Sequence, residues 1–92
     1  MSCYAVDIDG ILCEISSLPF AQRQPIRKNI AAINKLYDEG HTIILHTSRL
    51  NEDRTDTEYW TRLHGIKYQA IVYNKLKADH YIDDRNLSIE EL

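Results

Sequence analysis

Two aspartates near the N-terminus are the residues of this chain most able to do chemistry. Asp7 and Asp9 follow the short apolar run Tyr4-Ala5-Val6, and Gly10 comes directly after them. Side chains at positions i and i+2 of a strand point to the same side, so we expect the two carboxylates to converge. Crowded carboxylates repel each other unless a cation lies between them or one of them keeps its proton. The pair therefore indicates an active site, with either a bound metal or acid–base chemistry.

Further polar groups follow the other apolar runs, at the carboxyl ends of predicted strands, where ligands bind in open α/β sheets. Carboxylate oxygens suit Mg²⁺, a hydroxyl can donate to a phosphoryl oxygen, and a lysine balances the negative charge. The sequence therefore predicts a site for a phosphate and a hard cation. The candidates are Asp7, Asp9, Asp83 and Asp84 for the metal, Thr47, Ser48 and Lys75 for the phosphate, and Asp7 and Asp9 for catalysis.

The elements that position these groups alternate along the chain. Apolar runs predict strands at 4–6, 42–46, 70–73 and 81–82, and the 42–46 run is typical of a strand covered on both sides. Helical spacing predicts one helix from Pro25 to Gly40 and another that begins near Asp53 or Thr55 and ends at Gly65. The order predicts right-handed crossovers and a small, three-layer, Rossmann-like α/β fold with a mostly parallel open sheet of about four strands. We expect residues 1–92 to form a single domain.

The second predicted helix should have one face that packs inward. This face is expected to contain Tyr59, Trp60 and Leu63, with Trp60 in the core.

Composition argues against two classes of partner. The net charge of -3 offers no basic surface for nucleic acid, and no apolar run approaches the length of a membrane span. The two cysteines lack the spacing of a metal site. We expect a cytoplasmic protein. We expect the site to be covered either by a large substrate or by a second subunit, and the thin core of so short a chain favours a homo-oligomer.

Four of these motifs, taken in order, resemble the haloacid dehalogenase superfamily of phosphotransferases. They are Asp7-x-Asp9-Gly10, Thr47, Lys75 and Asp83-Asp84. The stretches 40–44, 60–68 and 75–84 look like the small capless members associated with capsular and other surface-polysaccharide biosynthesis. Two motifs depart from the usual pattern: Asn74-Lys75-Leu76 stands for Gly-Lys-Pro, and Thr47-Ser48-Arg49-Leu50 for Thr-Ala-Arg-Gly.

The resemblance implies a Mg²⁺-dependent phosphomonoester hydrolase acting on a small phosphorylated metabolite, most plausibly a sugar phosphate. Asp7 would be the nucleophile that forms an aspartyl-phosphate, and Asp9 the general acid and base. The backbone carbonyl of Asp9 and the Asp84 carboxylate would complete the metal site, with Asp83 a ligand through water or a partner of Lys75. Whether Lys75 or Lys77 is the working lysine stays open. With no insertion for a cap domain, the site should be open in the monomer.

Other classes of protein use similar groups. A signalling receiver domain also places acidic residues, a hydroxyl and a lysine at strand ends, but it needs an acceptor aspartate on a middle strand, which this chain lacks. A non-catalytic metal-binding or assembly module with the same fold is a second alternative. A phosphotransferase that uses an acceptor other than water is a third.

Overall fold

The computed structural model describes residues 1–92 and contains one parallel sheet. Its strands are β1 (Cys3–Val6), β2 (Thr42–His46) and β3 (Ala70–Val72), in the order β1-β2-β3. Tyr4 pairs with Ile43 and Leu45 pairs with Ile71, which fixes the register across the sheet. The predicted small Rossmann-like α/β fold with an open parallel sheet is confirmed.

Two helices connect the strands, α1 (Arg27–Asp38) and α2 (Arg54–Leu63). Both end where the sequence predicts, because Gly40 and Gly65 adopt φ values of +96° and +69° just after them, a conformation that glycine reaches at little cost. Helix α1 begins two residues after Pro25, and a short 3₁₀ turn at Asn51–Asp53 leads into α2. Neither helix has the length and apolar character needed to cross a membrane.

The core lies on one face of the sheet. Ile43 and Leu45 of β2 are completely buried, whereas Ile44 and His46, which point the other way, are only half-buried. Consecutive right-handed crossovers in the order β1-β2-β3 place both helices on the same face. The predictions of a three-layer fold and of a β2 strand covered on both sides are therefore wrong, since no helix returns to the second face and the fold has two layers.

The predicted strand at Tyr81-Ile82 is absent, so the sheet has three strands rather than about four. Ile82 is fully exposed, and the Tyr81 hydroxyl instead donates to the carbonyl of Leu76, 2.5 Å away, within its own loop. The C-terminal segment runs beside the free edge of β1 without pairing to it. A cavity of about 750 Å³ separates the two.

Helix α2 buries a different face from the predicted one. Trp60 is completely buried, as expected, but Tyr59 and Leu63 are 52% and 57% exposed. Thr57 and Thr61 are buried in their place. The Thr61 hydroxyl is satisfied by the Glu58 carbonyl and the Tyr68 hydroxyl, which explains how a polar side chain takes a core position.

The hydroxyl of Thr57, by contrast, is buried without a hydrogen-bond partner. A buried unpaired hydroxyl costs about 1–3 kcal/mol of desolvation free energy. We therefore expect Thr57→Val, which keeps the shape and removes the hydroxyl, to raise the free energy of unfolding by about 1 kcal/mol. Urea denaturation measures this change, with Thr61→Val as the matched control that should destabilise. A Thr57→Val protein less stable than the wild type would contradict the assignment.

Candidate functional site

Asp7 lies immediately after β1, at the carboxyl end of the sheet. Its Oδ1 accepts a hydrogen bond from the backbone N–H of Ile8 at 2.8 Å, and its Oδ2 lies 3.7 Å from Nζ of Lys75. The side chain is 38% exposed. A fixed, accessible carboxylate beside a lysine is suited to meet an anionic substrate whose charge the lysine offsets.

A tight loop then turns the chain and sets the position of Asp9. The carbonyl of Ile8 accepts hydrogen bonds from the backbone N–H groups of Ile11, Leu12 and Cys13. Gly10 has a φ of +87°, and a Cβ there would lie 3.2 Å from the Ile15 side chain. This position therefore requires glycine, because another residue would be both strained and crowded.

The Asp9 carboxylate contacts two arginines. Arg49 donates from Nε to Oδ2 at 3.1 Å and from Nη2 to Oδ1 at 2.8 Å, and Arg23 donates from Nη1 to Oδ1 at 2.7 Å. The Cys13 thiol is a fourth donor, 3.4 Å from Oδ1. Since every partner is a donor, Asp9 acts only as an acceptor in this arrangement.

The core holds both arginines in place. The Cζ of Arg49 lies 3.2 Å from the ring centroid of Phe20, and that ring packs 5.1 Å from the Trp60 ring. The indole N–H of Trp60 donates to the backbone carbonyl of Arg23 at 3.1 Å. A guanidinium stacked on an aromatic ring loses little further freedom on binding an anion. Arg23 and Arg49 together form an arginine pair on Asp9.

Thr47 follows β2 and contacts the backbone of both Arg49 and Lys75. It is completely buried, and its Oγ1 accepts from the backbone N–H of Arg49 at 3.1 Å. Its carbonyl accepts from the backbone N–H of Lys75 at 2.9 Å. The neighbouring Ser48 is exposed. The structure thus brings Thr47 and Lys75 together and leaves the Ser48 side chain toward solvent.

Asn74 explains how Lys75 reaches Asp7. It has a φ of +64°, the left-handed conformation that asparagine tolerates better than most residues, and its N–H donates to the carbonyl of Arg49 at 2.9 Å. The same conformation suits the glycine usual in the resembling family. Lys75 then extends with Nζ 4.4 Å from the Tyr81 ring centroid, whereas Lys77 is exposed and forms no ion pair.

The two lysines make a matched pair for mutation. For the phosphatase that the four motifs predict, Lys75→Met should lower kcat/KM for phosphate release by about 10²-fold, because the charge beside Asp7 would stabilise the transferring group. Lys77→Met should leave the rate within about twofold of the wild type. Steady-state phosphate release measures both. Equal losses in the two variants, or a loss confined to Lys77→Met, would contradict the assignment.

The acidic pair lies on the exposed C-terminal segment. Asp83 lines the same cavity as Asp7, and its Oδ1 accepts from the backbone N–H of Arg85 at 3.0 Å. That hydrogen bond, with a smaller contribution from Asp84, lowers the pKa of Asp83 below its usual value. The Asp84 side chain is 86% exposed and lies 4.0 Å from Nε of Arg85. Asp83, rather than Asp84, is the carboxylate on the cavity wall.

The donor groups fit a Mg²⁺ ion bound together with a phosphate. No three His, Cys, Asp or Glu side chains converge in this structure. Mg²⁺ nevertheless binds with one or two carboxylates, waters and substrate phosphate oxygens. Asp7 and Asp83 both line the cavity between β1 and the C-terminal segment, and the backbone carbonyl of Asp9 accepts no hydrogen bond. The Asp9 carboxylate itself is occupied by the arginine pair.

Cys13 illustrates the electrostatics around Asp9. Burial, and then the Asp9 charge, raise the pKa of its thiol to about 11. The thiol therefore stays protonated well above neutral pH, and only the thiolate is nucleophilic. At about pH 8 we expect iodoacetamide to label the exposed Cys3 at least about tenfold faster than Cys13, by peptide mass spectrometry. Equal labelling rates in the folded protein would contradict this environment.

The arginine pair was only partly predictable from sequence. Arg49 lies two residues after Thr47 and, like Arg85, flanks the predicted site, which indicates either a second anion site or a pair with a nearby carboxylate. Arg23 lies in an irregular stretch with no periodic signal. Its contact with Asp9 spans 14 residues and that of Arg49 spans 40. Only the folded chain reveals that both guanidiniums meet at one carboxylate.

Comparisons with known proteins support the fold and give no information about the chemistry of the site. No family model matches the chain, and no curated protein matches it. A structural-genomics target from Vibrio cholerae has a similar structure, with a TM-score of 0.83 and 23% identity over 99% of this chain and 86% of that chain. A chain of the Pnkp1/Rnl/Hen1 complex matches with a TM-score of 0.67 and 21% identity, over 90% of this chain and 29% of that chain. At such identities these likenesses show a shared fold alone.

Proposed function

We propose that this chain is a cytoplasmic, Mg²⁺-dependent phosphomonoester hydrolase of the haloacid dehalogenase type. Its proposed substrate is a small phosphorylated metabolite, a sugar phosphate of surface-polysaccharide biosynthesis. The observation that carries the proposal is the Asp7 carboxylate at the end of β1, 3.7 Å from Nζ of Lys75, whose backbone N–H donates to the carbonyl of Thr47. The resemblance of the four motifs adds the family, and the resemblance of the stretches 40–44, 60–68 and 75–84 adds the substrate class.

The first step in this proposal is attack by Asp7. An oxygen of its carboxylate forms a bond to phosphorus as the bond from phosphorus to the leaving alcohol oxygen breaks. Asp9 gives a proton to that leaving oxygen, so the alcohol departs neutral. Lys75 holds the transferring phosphoryl group by charge, and the buried Thr47 positions the backbone of Arg49 and Lys75 beside it.

The second step returns Asp7 to its starting form. A water molecule attacks phosphorus and gives its proton to Asp9, and the bond between phosphorus and the Asp7 oxygen breaks. Inorganic phosphate leaves, and Asp9 is protonated for the next cycle. A bound Mg²⁺, held by Asp7, Asp83 and the Asp9 carbonyl, would supply positive charge against the phosphate oxygens.

Phosphate release from a panel of sugar phosphates, with and without Mg²⁺, tests the proposal. We expect release that requires Mg²⁺ and that chelation with EDTA abolishes. Release unaffected by EDTA would remove the metal from the proposal. Alcohol release without matching phosphate release would indicate transfer to another acceptor, and no reaction with any member would favour a non-catalytic module.

A further inference from the structure

The arginine pair carries more positive charge than its surroundings balance. Arg23 and Arg49 each form an ion pair with Asp9, and no other carboxylate lies within 4.0 Å of either guanidinium. Their side chains are only 21% and 13% exposed. Two partly buried cations on one carboxylate leave one positive charge without a partner, which costs free energy unless an anion offsets it.

Donor groups remain free for such an anion. The hydrogen bonds of Arg49 use Nε and Nη2, and those of Arg23 use Nη1 and Nε, the latter donating to the Leu18 carbonyl at 3.2 Å. Nη1 of Arg49 and Nη2 of Arg23 form no hydrogen bond in this structure. Guanidinium groups bind carboxylate and phosphate oxygens through paired donors. Both arginines are therefore able to take an anion in addition to Asp9, or in exchange for it.

The pair also restrains the residue that must donate a proton. Asp9 accepts from donors on both oxygens, so it must lose at least one guanidinium contact and take up a proton from water before it can give a proton to a leaving oxygen. An anionic group that draws the arginines away would release Asp9. Substrate binding and proton donation would then be coupled through the same two side chains.

We propose that Arg23 and Arg49 form a subsite for a second anionic group, a carboxylate or a phosphate, on the leaving-group side of the substrate. This subsite rests on the proposed phosphatase function and narrows its substrate class to phosphate esters of acidic alcohols or to bisphosphates. The second anionic group of the substrate lies beside Asp9, because Asp9 gives a proton to the leaving oxygen. When this anion replaces the Asp9 carboxylate on the arginines, Asp9 is free to take up a proton from water and give it to the leaving oxygen, so selectivity appears in kcat as well as in KM.

Matched substrates test the subsite. 3-Phosphoglycerate and glycerol 3-phosphate differ by a carboxylate, and fructose 1,6-bisphosphate and fructose 6-phosphate differ by a phosphate. We expect wild-type kcat/KM to favour the more anionic member of at least one pair by about 10- to 100-fold, the worth of one or two charge-assisted hydrogen bonds. The pair that shows the preference identifies the anion.

Variants separate binding of the second anion from other roles. Arg49→Gln and Arg23→Gln should each remove most of the preference, and Arg49→Lys should restore part of it. Arg62→Gln, on the exposed side of α2, is the control that should keep it. If the arginines bind the reacting phosphate or serve folding alone, their replacement slows both members of a substrate pair equally, and the preference survives. That outcome would overturn the subsite. A wild type with no preference in either pair would also overturn it.

A second readout keeps the subsite testable if no phosphate is released at all. The arginine Nε–H signals in ¹⁵N spectra can be followed while glycerate, inorganic phosphate or neutral glycerol is added. We expect glycerate or phosphate to shift the Arg49 and Arg23 signals and glycerol to leave them unchanged. Shifts without turnover would retain the anion site and reject the phosphatase, whereas no shift with either anion at millimolar concentration would reject the site itself.

Discussion

Asp7→Asn is expected to lower phosphate release by about 10⁴-fold or more, the largest effect of any single change in this chain. The amide keeps the shape of the side chain and its contact with the Ile8 N–H, but it cannot form the bond to phosphorus. Loss of the negative charge also removes the partner of Lys75. The free energy of unfolding should change by less than about 1 kcal/mol, because the side chain is partly exposed to water and its ion pair with Lys75 is long.

The control for this variant is Asp56→Asn, at an exposed position in the first turn of α2. It makes the same chemical change away from the sheet edge and should retain the wild-type rate within about twofold. Both proteins are to be prepared identically, so that a contaminating phosphatase would appear equally in each. An Asp7→Asn enzyme with a near-normal rate would end the nucleophilic role of Asp7.

Trp60→Ala is expected to have the largest effect on stability. Trp60 is the largest completely buried side chain, and it packs against Phe20 and against His64, whose ring centroid is 4.5 Å away. Truncation of a buried tryptophan costs about 3–5 kcal/mol. Because small domains have total stabilities of about 5–15 kcal/mol, much of the folded population should be lost. Urea denaturation followed by circular dichroism measures this loss.

Trp60→Phe separates packing from hydrogen bonding. It retains an aromatic ring against Phe20 and removes the N–H that donates to the Arg23 carbonyl. We expect a smaller destabilisation, of about 1–2 kcal/mol, from a smaller ring and one unpaired carbonyl. A Trp60→Ala protein as stable as Trp60→Phe would contradict a packing role for the indole.

The three strands and both helix ends could be predicted because their signals are local. A continuous β-prone run produces β2, and glycines at positive φ end the helices. The fourth strand could not form from Tyr81-Ile82 alone, since two apolar residues make no strand without a paired neighbour, and the edge of β1 stays open. On α2, apolarity favoured Tyr59 and Leu63, but the orientation of Trp60 selects the face that contains Thr57 and Thr61.

The candidate site was predictable in its residues more than in its geometry. Sequence places Asp7, Thr47 and Lys75 at strand ends, and the structure brings them together. Sequence could not distinguish the two lysines, because their separation depends on the left-handed backbone at Asn74. It also could not place the arginine pair on Asp9, since those contacts depend on the packing of Phe20 and Trp60. Homo-oligomerisation over the open site stays a prediction.

Chemical trapping of an aspartyl-phosphate tests the central proposal most directly. Rapid quenching during turnover, followed by reduction with borohydride, converts an acyl phosphate on aspartate to homoserine, which peptide mass spectrometry locates. We expect homoserine at position 7, dependent on both substrate and Mg²⁺ and absent from Asp7→Asn. Homoserine at any other aspartate, or phosphate release with no trapped intermediate under single-turnover conditions, would contradict nucleophilic attack by Asp7.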